Sequence, residues 1–178
     1  MDGPLTATNI VTPLVWMKRR CLAAPARQFW LAMLAARLPW WWLVDQFSRR
    51  ASNLSIYAQY QGVSAAFVRA QAETYYREKI RPAAFAGALA RLRDFRQAGV
   101  RVVLVTGGLD VFMVPMAREF GADCLAPSLE EQGGVFTGRL RTEPFTGAEK
   151  ARQLRAHAAA RGIDLANAIA MGDALGDL

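Results

Sequence analysis

Four short stretches hold side chains that could do chemistry together: Met1-Asp2-Gly3-Pro4-Leu5-Thr6, Val105-Thr106-Gly107-Gly108, Gly147-Ala148-Glu149-Lys150 and Met171-Gly172-Asp173-Ala174-Leu175-Gly176-Asp177. Each alone is ordinary. Thr-Gly-Gly is a common turn, a lysine on a helix faces solvent, and Gly-Asp marks a loop. In chain order, however, they supply a carboxylate, a hydroxyl with flanking backbone N–H groups, an amine and two further carboxylates. Those are the parts for phosphoryl transfer assisted by Mg²⁺. A hard divalent cation takes oxygen ligands in octahedral geometry, which Asp2, Asp173 and Asp177 could provide. Lys150 and the Thr106 hydroxyl would neutralise charge on the transferring group, leaving the protein a task of positioning and electrostatics.

In open α/β sheets ligands bind beyond the carboxyl ends of the strands, and all four stretches fall at predicted strand ends or in loops beside them. From residue 12 to about 81 the apolar spacing predicts only helices, over 14–21, 28–37, 40–52 and 65–80, with breaks at Pro25, Pro39 and Gly62. After Arg81-Pro82 the pattern alternates. It predicts helices over 83–98, 110–120 and 148–161, each followed by a glycine (Gly99, Gly121, Gly162) suited to a left-handed C-terminal cap. It predicts strands over 100–105, 124–126 and 168–171, and a hairpin arm over 135–140 turning at Gly133-Gly134. Short apolar strands alternating with helices indicate a parallel sheet of the α/β class.

Composition narrows the classes. The chain has 178 residues, of which 53% are hydrophobic and 21% charged, enough for one buried core and neither disordered nor collagen-like. Two cysteines, Cys21 and Cys124, make no disulfide framework and suit a reducing compartment. The one histidine, His157, sits mid-helix among alanines and reads as packing or surface. The net charge of +7 is concentrated early: residues 1–50 hold seven basic side chains against Asp2 and Asp45. This excess borders the segment 29–44, which holds Trp30, Trp40, Trp41 and Trp42. The segment is shorter than the ~20 apolar residues a spanning helix needs. It reads either as a buried helical hairpin with a solvated basic face, or as a surface meeting anionic lipid headgroups. No secretory leader pattern opens the chain. A nucleotide-binding Rossmann reading fails for want of a Gly-x-Gly-x-x-Gly after a strand, and the aromatics do not form a nucleic-acid stacking platform.

These motifs, in this order, resemble the haloacid dehalogenase superfamily of phosphohydrolases, in the phosphoserine-phosphatase-like branch (subfamily IB). Tyr60-Gln61-Gly62-Val63, Val103-Leu104-Val105-Thr106-Gly107-Gly108-Leu109-Asp110 and Phe136-Thr137-Gly138-Arg139-Leu140 are similar to phosphatase-like proteins and domains found with lipid acyltransferases or fatty acyl reductases. The resemblance implies a Rossmann-like three-layer core, residues 1–11 and 82–178, with an inserted all-helical cap, residues 12–81. It implies an Mg²⁺-dependent phosphomonoester hydrolase working through an aspartyl-phosphate. Asp2 would be the general acid/base, with its carbonyl on the metal. Thr106 and the N–H of Gly107 would bind the phosphoryl group, and Lys150 would screen charge. Asp173 and Asp177 would support the metal.

Three departures from the family's motifs stand out. Pro4 replaces the usual Thr, and Ala174 a common Ser. The family's nucleophilic Asp would stand one position before Met1, so this polypeptide is expected to lack turnover. The central first-motif strand would be missing as well, and Met1 reads as a misassigned start within a longer gene. Loss of that strand leaves a gap between 102–105 and 168–171, which either closes or leaves unpaired strand edges. The expected ligand is a small or lipid-like phosphate ester. The expected place is the cytoplasm, with the inner membrane face a candidate through the Trp-rich cap. The alternative is a non-catalytic module that binds phosphate or a membrane surface, within a larger lipid-metabolism protein.

Overall fold

The computed structural model describes residues 9–172. Its first half is helical: α1 (Val11–Cys21), α2 (Ala24–Phe47), α3 (Arg49–Tyr57) and α4 (Ala65–Tyr75). Asn9 Oδ1 accepts from the N–H groups of Val11 at 3.1 Å and Thr12 at 3.0 Å, satisfying donors that α1 leaves without partners. The breaks expected at Pro25 and Pro39 do not occur, for α2 runs through both over 24 residues. Pro25 lies in the first turn, where its missing N–H costs nothing. Pro39 is exposed, so water can take up the carbonyl it leaves unbonded. The helix expected over 40–52 is instead divided at Ser48. That residue is extended (φ −156°, ψ 97°), and its Oγ accepts from Ala51 N at 3.2 Å as the N-cap of α3.

Beyond α4 a π-helical turn, Tyr76–Ile80, closes with Arg81 N donating to Tyr76 O at 2.8 Å. It brings two donors onto one carboxylate of the second half. Tyr76 Oη lies 2.5 Å and Arg81 Nε 3.2 Å from Glu119 Oε2. These bonds hold the Glu119 carboxyl below its ordinary range.

The second half alternates α5 (Ala86–Gln97), β1 (Val103–Val105), α6 (Asp110–Phe120), β2 (Asp123–Leu125), β3 (Leu129–Gln132), β4 (Val135–Leu140) and α7 (Gly147–Ala160). β1 and β2 pair in parallel with Leu104 opposite Cys124. β3 and β4 form the hairpin, turning at Gly133 (φ +58°) and Gly134 (φ +80°). This is an α/β arrangement, with a helix-rich segment placed before its first described strand.

The strand expected over 168–171 is not formed. Ala168 N bonds Leu165 O in a turn, and Ile169 and Met171 are exposed. A strand exists only by pairing, and among the described residues β1 is paired only with β2. Of the two outcomes expected for that gap, closure is therefore not the one observed.

One buried cluster joins the halves. Trp16 of α1 meets Tyr75 of α4 edge-on at 5.1 Å, and Tyr75 meets Phe112 of α6 at 5.0 Å. Such contacts contribute about 0.5–1.5 kcal/mol each beyond the area they bury. Arg20 lies 3.7 Å above the Trp16 ring and pairs with Glu78 at 3.0 Å. Gly138 (φ +82°) lets β4 pass close to the turn Ala58–Tyr60, since a Cβ there would lie 2.9 Å from the Ala58 carbonyl oxygen.

Candidate functional site

Thr106 follows β1 directly, and its N–H continues the ladder by donating to Leu125 O at 3.0 Å. The chain then turns sharply. Thr106 Oγ1 accepts from Gly108 N at 3.1 Å. Tyr57 of α3 donates its hydroxyl to the Gly107 carbonyl. The peptide between Gly107 and Gly108 is thus held from both ends. The Gly107 N–H has no partner among the described residues, and the Thr106 hydroxyl, accepting through a lone pair, keeps its proton to donate. Burial makes Tyr57 a poor acid, pushing its hydroxyl well above the ordinary value, so it stays a donor.

The loop faces the approach to α7. A Cβ on Gly107 would touch the Phe145 carbonyl oxygen at 3.4 Å, and Phe145 immediately precedes Thr146, the N-cap of α7. Lys150 N donates to Thr146 O at 2.8 Å, which places Lys150 at the first turn, half-buried. The structure therefore sets the Thr106-Gly107 loop beside the segment that leads into the helix bearing Lys150. Asp2, Asp173 and Asp177 lie outside the described residues. Among the described residues no cluster of three His, Cys, Asp or Glu side chains could hold a metal. As donors, Asp2, Asp173 and Asp177 are hard carboxylate oxygens, a set that fits Mg²⁺.

On the α6 side of the loop opens a cleft of 140 Å³ lined by Arg69, Asp110, Val111, Ser128, Phe136 and Arg141, among others. Burial raises the Asp110 carboxyl above its ordinary value, opposed by the Val111 N–H and by Arg141 and Arg69. Arg69 is paired with Glu131. Sequence reasoning passed over this cleft and Tyr57. Tyr57, the last residue of α3, carries no local signal for this role, because its partner lies fifty residues on.

His157, read from the sequence as packing or surface, and Arg139 both have structural partners. Arg161 donates to His157 Nδ1 at 2.9 Å, so Nδ1 accepts and Nε2–H donates to Asp123 at 3.1 Å. Arg139 pairs with Glu130 across the hairpin at 2.8 Å.

The whole of residues 1–178 matches the haloacid dehalogenase-like hydrolases. The chain belongs to that family. A phosphoserine phosphatase of Archaeoglobus fulgidus is 34% identical over 92 residues, covering 51% of this chain and 27% of that protein. One of Albidiferax ferrireducens is 36% identical over 97 residues, covering 52% of this chain and 41% of that protein. The matched stretches thus span less than half the length of these curated relatives. They place the chain in the phosphoserine-phosphatase-like branch. A solved Bordetella pertussis protein of unknown function shares the fold, with TM-score 0.67 over 85% of this chain and 67% of that one at 22% identity. No described helix is long and apolar enough to cross a membrane.

Proposed function

We propose that this hydrolase-family chain carries the phosphate-binding and proton-transfer machinery of an Mg²⁺-dependent phosphomonoesterase acting on a small or lipid-like phosphate ester. The observation that carries the reading is the locked 107–108 peptide, with the Gly107 N–H and the Thr106 hydroxyl both left to donate at the end of β1. Two donors there stabilise the charge that builds on a transferring phosphoryl group. Lys150 adds a cation at the N-terminal end of α7, where the helix dipole already favours an anion. Asp2, Asp173 and Asp177 would hold Mg²⁺, which supplies electrophilic polarisation of the phosphoryl oxygens and orients them. Residues 12–81 are assigned to the cap and 1–11 with 82–178 to the core. The unpaired cysteines fit a cytoplasmic setting.

In the proposed reaction a carboxylate one position before Met1 attacks phosphorus, and the bond from phosphorus to the leaving oxygen breaks. Asp2 gives its proton to that oxygen. Asp2 then takes a proton from water, whose oxygen attacks the aspartyl-phosphate and releases inorganic phosphate. Because that first carboxylate stands outside the 178 residues, the polypeptide itself should bind phosphate without turnover.

The test compares the 178-residue polypeptide with a form extended by an apolar strand ending in Asp, using p-nitrophenyl phosphate, phosphoserine and Mg²⁺. Hydrolysis should appear only in the extended form and fall by about 10²-fold or more in Thr106→Ala, Lys150→Ala and Asp173→Asn. Turnover by the unextended polypeptide, or turnover that survives Lys150→Ala and Asp173→Asn unchanged, overturns the reading.

A further inference from the structure

Helix α2 presents an apolar face that none of the described residues covers. Phe29, Met33, Ala36, Trp40, Leu43 and Phe47 recur at intervals of four and three residues, which puts them on one side of the helix, and all six are exposed. Phe29 is 71%, Trp40 62% and Phe47 83% accessible. The opposite side seats α2 on the protein through buried Leu34 and Trp41. At 1.5 Å per residue the stripe is about 27 Å long. An uncovered apolar strip of this size marks a contact surface.

The surroundings identify what it contacts. From residue 9 to residue 50 the chain carries Lys18, Arg19, Arg20, Arg27, Arg37, Arg49 and Arg50 against the single acid Asp45. Four of these cations have no acidic partner among the described residues. Arg27 bonds only the Arg19 carbonyl, Arg37 bonds Gln59, and Lys18 and Arg19 make no ion pair. We infer that α2 lies flat on an anionic lipid surface, its stripe sunk to the headgroup boundary and the cations of this basic segment drawn to the lipid phosphates.

Charge favours lipid over a second copy of the chain. A two-fold dimer through this helix would press two cation-rich segments together, whereas anionic lipid neutralises them. Indole rings prefer the headgroup boundary, and α2 need not span the bilayer to reach it. The inference stands independently of the hydrolase reading. If both hold, the phosphate ester would be met at the membrane surface.

The experiment uses the whole chain with vesicles of phosphatidylcholine alone and of phosphatidylcholine containing phosphatidylglycerol. Flotation measures binding, and quenching by brominated acyl chains reports depth, because all five tryptophans fall between residues 16 and 42. Binding should require the anionic lipid, weaken in high salt, and fall by at least about tenfold in Trp40→Ser/Phe47→Ser. Both positions are solvent-facing, so the variant should keep its unfolding midpoint. Phe47→Ser alone should move binding the same way by less. The inference is overturned if the chain stays unbound at low salt with anionic vesicles, if the double variant floats like the parent, or if sedimentation shows a dimer that the same substitutions dissolve while vesicles are ignored.

Discussion

Three tyrosines are buried to about the same depth, and only one has a hydrogen-bond partner. Tyr57 donates to Gly107 O, whereas the hydroxyls of Tyr60 and Tyr75 find no partner among the described residues. Replacing each with Phe should therefore split in sign. Tyr57→Phe strands the Gly107 carbonyl. A bond of this kind is worth about 1 kcal/mol net, and up to about 3 when the remaining partner stays buried. Gly107 is half-buried, so a loss of about 1–2 kcal/mol is expected. Tyr60→Phe and Tyr75→Phe each remove a hydroxyl whose desolvation is uncompensated, and should gain up to about 1–2 kcal/mol. The ring contacts of Tyr75 with Trp16 and Phe112, and of Tyr60 with Phe112, survive the change. A separation of about 2 kcal/mol corresponds to roughly 4–8 °C in Tm for a chain of this size. Urea titration at pH 7 measures it, and inorganic phosphate binding supplies a second readout that only Tyr57→Phe should weaken. The reasoning is refuted if Tyr57→Phe is as stable as the parent, or if either of the other two loses more than it does.

Gly138→Ala should cost about 2–4 kcal/mol, because a side chain at φ +82° is strained and its Cβ would overlap the Ala58 carbonyl at 2.9 Å. A urea midpoint equal to the parent's would contradict that close approach. Alkaline pH should destabilise the fold. Burial pushes the Cys124 thiol up to about 11, and the hydroxyls of Tyr57 and Tyr75 beyond it. Each group binds its proton more tightly folded than unfolded. Its contribution is therefore intact below its unfolded value, about 9 for the thiol and 10 for the phenols, and is lost as pH rises through the folded one. The urea midpoint should hold from pH 7 to about 9 and then fall, with Cys124→Ala removing the first part of the decline.

Where local chemistry decides, the sequence was legible. The helix over 110–120 ends as expected at Gly121 (φ +61°), and the hairpin turns at Gly133-Gly134, because a left-handed residue is written into the chain as glycine. Pro39 misled because a proline's cost depends on whether its helix is exposed there, which spacing does not reveal. The segment 168–171 misled for a related reason. Its apolar residues satisfy the pattern of a buried strand, but a strand is a property of two segments, and no described neighbour pairs with this one. Thr106 and Gly107 could be picked out by residue type and order. Tyr57 could not, since its contact spans fifty residues and carries no local signature.

That contact changes how the helical half should be regarded. A cap that merely closed over a site could be loosened without disturbing the loop beneath it. Here α3 grips the loop itself through Tyr57, the turn after α3 sits against Gly138 of β4, and α1, α4 and α6 share the Trp16–Tyr75–Phe112 stack. The three contacts bind the halves at separate places, so loosening one leaves two that resist separation. Unfolding of the helical half should then take the 106–108 loop with it, in one cooperative transition rather than two. Movement of α3, whether from a ligand in the Arg69–Asp110 cleft or from α2 settling on a surface, would pass to Gly107 through a single hydroxyl. The geometry of the 106–108 loop is thus set from the helical half as much as from the strand that precedes it.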